Sequence, residues 1–202
     1  MKLKKILQNI FKKIFQNLFK VIYGRIKLLD NKSEFNFKKH NIEKINISGQ
    51  VYTVNKNIYE IDNGRVFTDL VEHVAIIKDN FILPKISYQQ IKGELKETSY
   101  NKVLFSGTNR VKKKIKGKVL SLLQGASGNN YFHFMFDIVP KILLLEKMNL
   151  LKQIDFFLVP NIQNWQKTIL SNFGILEKQL LDSNKFRHIE AEKIYALDHP
   201  WY

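Results

Sequence analysis

His133 and Asp137 are the two side chains in this sequence best placed to move a proton. They stand four residues apart in Asn130-Tyr-Phe-His-Phe-Met-Phe-Asp-Ile-Val-Pro-Lys141, so on a helix they meet on one face. At about 100° per residue, Asn130, His133, Asp137 and Lys141 fall on one narrow stripe. Tyr131, Phe132, Met135, Phe136, Ile138 and Val139 cover nearly all the rest. A carboxylate and an imidazole are costly to bury without partners. The pattern therefore predicts a buried helix whose polar seam faces a cleft. In that cleft either Asp137 or His133 acts as general base toward an acceptor hydroxyl, oriented by the other. Asn130, Tyr131 and Lys141 are the candidate substrate-binding residues. Two other roles fit the same spacing. The pair can brace the fold as a satisfied buried contact, or it can ligate a metal, for which no third His or Cys stands nearby.

The flanking sequence supplies the elements that would hold this helix. Val119–Leu123 is a short apolar run, read as a buried strand, and Gly125–Asn130 is a turn ending in cap-favouring residues. Gly125 and Gly128 fit neither a dinucleotide fingerprint nor a P-loop, so a tight turn is the better reading. Pro140 is expected to kink or restart the helix. Further on come a strand over Ile154–Val159, a helix over Trp165–Phe173 closed by Gly174, and two short strands at Phe186–Ile189 and Lys193–Leu197. This alternation predicts a parallel sheet over 118–202. The chain stops directly after a strand, as a longer α/β unit cut short would.

Residues 44–117 read as a β-rich segment. Ile45–Val54 and Asn57–Ile61 alternate apolar with polar, and hairpin turns are expected at Asp62-Asn-Gly64 and Asp79-Asn80. Within 92–118 the basic run from Arg110 to Lys116 reads as a solvated loop or edge strand. It has no interleaved aromatics, so a nucleic-acid platform is not expected. His40, His73, His188 and His199 read as ordinary surface or loop histidines, and Trp165 and Trp201 as core or interface residues.

Residues 1–29 carry eight basic side chains and no acid, with apolar residues at helical spacing from Leu3 to Ile22. This is a basic amphipathic helix that suits in-plane contact with an anionic membrane, followed by a polar linker over 30–43. Its lysines interrupt it too often for a span of about 20 apolar residues. Over all 202 residues, 33 Lys and Arg against 18 Asp and Glu leave a net charge of +15, which favours an anionic partner without naming it. A bias toward Lys, Asn, Ile and Phe explains part of that charge. The chain is 45% hydrophobic, enough for a sizeable core, and has no cysteine, which excludes disulfides and thiolate metal sites.

Gly125-Ala-Ser-Gly-Asn-Asn-Tyr-Phe-His-Phe-Met-Phe-Asp-Ile-Val-Pro-Lys141, followed by a leucine-rich helix, resembles the signature of glycosyltransferase family 61. Gly64-Arg-Val-Phe-Thr-Asp69, Val74-Ala-Ile-Ile-Lys-Asp-Asn80 and Asp155-Phe-Phe-Leu-Val-Pro160 are also similar to members of that family. Asn130, His133, Asp137 and Pro140 match the motif. Phe134 stands where the family has Trp, and Lys141 where it has Arg. The resemblance covers roughly residues 60–200. It implies an α/β fold in which 118–202 form a partial Rossmann-like unit, the N-terminal lobe of a GT-B enzyme. The implied activity is sugar transfer from a nucleotide sugar to a glycan hydroxyl in surface polysaccharide biosynthesis. It needs no metal or other cofactor, and would take place at the cytoplasmic face of the cell membrane. The nucleotide would be held largely by a C-terminal lobe absent from these residues, which alone would be inactive. A non-catalytic, membrane-associated binding or assembly module built on the same lobe is the alternative.

Overall fold

The computed structural model describes residues 2–29, 37–69, 73–125 and 127–198, with residues 2–5 as backbone only. Linker residues 30–36, together with His199 and Trp201, lie outside the described residues.

The acid-free N-terminal segment forms α1 (Lys2–Tyr23), and β1 (Lys27–Leu28) follows after Gly24. β2 (Lys38–Ile47) begins inside the stretch expected to be linker. It pairs with β3 (Gln50–Asp62) across Ser48-Gly49, both at positive φ. That geometry makes the tight hairpin turn whose twist matches its strands, so the alternating run read as one segment is two. β4 (Arg65–Thr68) follows Asn63-Gly64. This turn makes no hairpin, because β3 and β4 lie end to end along a single later strand. β5 (His73–Lys78) and β6 (Phe81–Ile82) form the expected hairpin at Asp79-Asn80, and β7 (Tyr88–Ile91) and β8 (Glu94–Lys96) form another.

Ahead of the basic run lies α2 (Lys102–Ser106), capped by Asn101. The Asn101 amide, 2% exposed, also donates to the Val74 and Tyr88 carbonyls. The basic run then leads into β9 (Lys113–Ser121). Its first half is paired on one side, by the strand starting at His188, and keeps its lysines in water; its second half is paired on both sides.

After β9 come α3 (Tyr131–His133), a π-helical turn (Phe134–Ile138), α4 (Val139–Lys147), β10 (Phe156–Val159), α5 (Asn164–Ser171), β11 (Leu180–Asp182) and β12 (His188–Leu197). The two strands expected at Phe186–Ile189 and Lys193–Leu197 are one strand with a bulge between Ala191 and Lys193. β11 went unpredicted.

The fold is mixed α/β, with one twelve-stranded sheet among the described residues. Its order is β1-β6-β5-β4-β12-β9-β10-β11, and β12, β9, β10 and β11 run parallel. β3 and β4 pair antiparallel with β12, so the β-rich segment and the α/β segment share one sheet. Strand alternation divides the core. Leu120, Phe157, Val159 and Tyr195 face the helices with Phe134, Ile142, Leu145 and Leu170, whereas Val119, Leu158 and Ile194 face Val74, Ile76 and Tyr88.

His188 is a correction to the surface reading. It is 1% exposed, edge-on to the rings of Tyr23 and Phe67, with Nδ1 donating to the Arg110 carbonyl at 3.0 Å. Burial, helped by Arg65 and Lys112, pushes its pKa down to about 4 and outweighs the opposing pull of Glu190 and that hydrogen bond. The unfolded chain thus takes up a proton below pH ~6.5 that the folded state refuses until about 4. Stability should fall by on the order of 3 kcal/mol as pH drops through that window. Urea denaturation of a His188→Gln variant should lack this portion of the acid loss; an unchanged acid limb would contradict the buried neutral imidazole.

Candidate active site

The helix carrying the seam starts where the chain leaves β9. Gln124 follows that strand, and Gly125 lies so close to the Gln90 side chain that a Cβ would sit 2.0 Å from Gln90 Oε1. A larger residue there would have to displace the end of the Gln90 side chain. Gln166 on α5, 0% exposed, donates to the carbonyls of Ser127 and Gly128 at 3.3 and 3.1 Å, tying the turn down. Asn130 is the N-cap, its side-chain oxygen accepting from the His133 N–H at 3.3 Å. It is an exposed cap rather than a group held inside a cleft.

The helix is continuous through Pro140 because the preceding turn is wide. Val139 N–H reaches the Phe134 carbonyl, five residues back. In a regular α-helix the proline ring would collide with the Phe136 carbonyl. The expected kink or restart is thus a π turn, and it contains Asp137.

The seam runs from the surface inward. His133 Nδ1 and Asp137 Oδ2 are 2.9 Å apart, with side-chain exposures of 34% and 4%. A carboxylate only accepts, so Nδ1 carries the proton in this contact. Lys141, 7% exposed, donates to Gln124 Oε1 at 2.8 Å. Burial pushes its pKa down to about 8, and the nearby Asp137 charge partly offsets this. The space beside it is narrow, closed by Val74, Ile76, Tyr88, Ser121, Gln124 and Leu197.

The predicted site residues are therefore brought together unequally. His133, Asp137 and Lys141 form one inward line, Asn130 caps it, and Tyr131 stands outside against Trp165, ring centroids 5.4 Å apart. Trp165 also packs edge-on to buried Phe134. The expectation that the helix is buried on its apolar sides fails. Tyr131, Phe132 and Phe136 are 60–63% exposed, with Phe132 and Phe136 ring centroids 4.5 Å apart and Phe132 edge-on to His133 at 5.8 Å. The polar line turns toward the sheet and the rings turn out. Chemically, the arrangement offers a part-exposed imidazole, a buried carboxylate that orients it, and flat apolar faces alongside. Among the described residues no group of three or more His, Asp or Glu is placed to hold a metal ion.

Gln124 and Gln166 are the site-positioning residues that sequence reading missed. They act across 17 and 38 residues of chain, and glutamine carries no local signature of such a role.

The strand order adds a geometric reason to place a ligand here. It runs β12-β9-β10-β11, so the chain leaves β9 toward β10 and β11 and returns on its other side as β12. Crevices open beyond the carboxyl ends of two strands where a parallel sheet reverses direction in this way. Gln124 and Lys141 lie beside Leu197 at that point.

Comparison with known protein families, with characterised proteins and with solved structures finds no match for this chain.

Lys141 makes this description testable. Folded, it releases its proton near pH 8; unfolded, near 10.5. Across that interval the unfolded state holds more protons, so stability rises with pH. Denaturation curves at pH 8 and pH 10 should show the wild type gaining on a Lys141→Met variant by about 2 kcal/mol. A constant difference would mean the ammonium is not buried.

Proposed function

We propose that this chain is the acceptor-side part of a family 61-like glycosyltransferase. It transfers a sugar from a nucleotide sugar to a glycan hydroxyl during surface polysaccharide biosynthesis. The parallel unit around β9 is Rossmann-like, the N-terminal lobe of a GT-B fold, with the nucleotide bound largely by a second lobe. No metal takes part. α1 holds the enzyme peripherally at the inner face of the cell membrane; no described helix is long and apolar enough to span it.

The observation that carries the reading is the His133–Asp137 contact at the outer end of a buried seam. It supports His133 as the base, rather than Asp137, because the carboxylate is sealed and the imidazole is reachable. His133 Nε2 takes the proton from the acceptor hydroxyl as that oxygen attacks the anomeric carbon. The bond from the anomeric carbon to the leaving phosphate oxygen breaks, and the nucleoside diphosphate departs with its electron pair. Asp137 orients the ring and stabilises the imidazolium formed. Phe132, Phe136 and Tyr131 offer the apolar faces on which a sugar ring stacks. Lys141 is a positioning charge, too enclosed to touch the acceptor directly.

One observation favours a second reading. Three adjacent rings more than half exposed also suit a docking surface, as a non-catalytic membrane-associated assembly module would have. The two readings part in a transfer assay. The protein expressed from its complete reading frame is incubated with radiolabelled nucleotide sugars and a membrane glycolipid fraction. Transfer is expected, and His133→Ala and Asp137→Asn should each lower it by at least a hundredfold, His133→Ala with melting temperature unchanged and Asp137→Asn with a lowered one, because the buried Lys141 ammonium loses its nearby charge. Undiminished transfer in both variants would reject the assignment, and no transfer by the unaltered protein would favour the docking module.

A further inference from the structure

α1 is seated on the body with its polar side inward. Lys12 Nζ donates to Asp69 Oδ2 at 3.0 Å, and Lys20 Nζ to the Phe105 carbonyl at 3.1 Å. Phe19 is 6% exposed, stacked between Phe15 and Tyr23. The Tyr23 hydroxyl accepts from the Lys112 N–H at 3.1 Å. At about 100° per residue, Lys12, Phe19, Lys20 and Tyr23 span about 100° of the helix circumference. Ile10, Phe11, Ile14, Leu18, Val21 and Ile22 look the other way and are 46–84% exposed. Helices on soluble domains show the opposite arrangement. Near the end of α2, which contacts α1, Phe105 is 73% exposed. Lys20 ties that residue's backbone to α1.

We propose that α1 and α2 together form a two-point membrane foot. α1 lies in the plane of an anionic bilayer with its outward face among the acyl chains, and the Phe105 ring inserts beside it. The occupant follows from charge. Residues 2–29 hold Lys and Arg but no acid, and the whole chain carries +15. A second copy packed symmetrically on the same face would press two acid-free basic helices together, whereas anionic headgroups neutralise them. The foot is fixed to the body. Asp69, which holds Lys12, is itself held by Arg110 at 2.9 Å, and Tyr23 packs on His188 at the first residue of β12. The seam pocket meets Leu197, the last residue of the same strand, roughly 30 Å further along at strand rise. Membrane contact thus leaves the seam uncovered. This deepens the membrane placement in the reading above and stands without the transfer chemistry.

Cosedimentation of the intact protein with vesicles tests it. Vesicles of equal parts phosphatidylglycerol and phosphatidylcholine should bind at least tenfold more tightly than phosphatidylcholine alone, and salt should weaken that binding. An Ile14→Asp, Leu18→Asp double variant should lose it at least tenfold with an unchanged circular dichroism spectrum. A Phe105→Trp variant should show fluorescence quenching by brominated phosphatidylcholine beyond that of the unaltered protein. Binding unaffected by the double variant overturns the proposal. So does absence of vesicle binding, with or without a dimer in sedimentation velocity that the double variant abolishes; such a dimer would identify a second copy as the occupant. Unquenched Trp at position 105 removes α2 from the foot. Lost sugar transfer with vesicle binding intact counts against the proposed function alone.

Discussion

Asp137 has been taken out of water on the inner side of a helix, and much of the site is arranged around that carboxylate. A buried carboxylate needs both charge and hydrogen-bond partners. His133 supplies the hydrogen bond one helical turn away, and Lys141 supplies positive charge from the next turn, held by Gln124. The Lys141 ammonium is itself strained by burial, so the two charged groups depend on each other. The polar line must therefore face the sheet, which forces Phe132 and Phe136 outward. One electrostatic requirement accounts for both the oriented imidazole and the exposed aromatic rings.

The sheet provides the stage for that line. β9 delivers Gln124 to the place where the parallel strand order reverses, and β12 closes the other side with Leu197. Gln166 locks the intervening turn from α5, and the π turn lets one helix pass Pro140 without breaking the spacing between His133 and Asp137. At the other end of β12, His188 and Tyr23 join the body to α1. The polar seam and α1 thus sit at opposite ends of one long strand.

Local periodicity made parts of this legible. The four-residue spacing of His133 and Asp137, the cap at Asn130 and the hairpin at Asp79-Asn80 are short-range features, and each is present, whereas the helix expected to run to Gly174 ends at Ser171. What escaped depends on distant partners. Asn63-Gly64 has hairpin chemistry, yet β3 and β4 both pair with β12, 130 or so residues downstream. The bulge near Glu192 let one strand read as two. His188 looked like a surface histidine because nothing nearby in sequence shows that Tyr23 and Phe67 enclose it. Helical spacing gave the apolar arc of α1 and the stripe of the seam, but not which side either helix turns to the body. That depends on the partners, Asp69 and Phe105 for α1 and Gln124 for the seam.

The central claim is that His133 Nε2 faces the hydroxyl to be deprotonated. The most direct measurement is a crystal structure of the protein with an oligosaccharide from the membrane glycolipid fraction bound. The account predicts a sugar hydroxyl within about 3 Å of His133 Nε2, with the sugar ring against Phe132 or Phe136. An oligosaccharide bound elsewhere, with Nε2 left facing solvent, would contradict it.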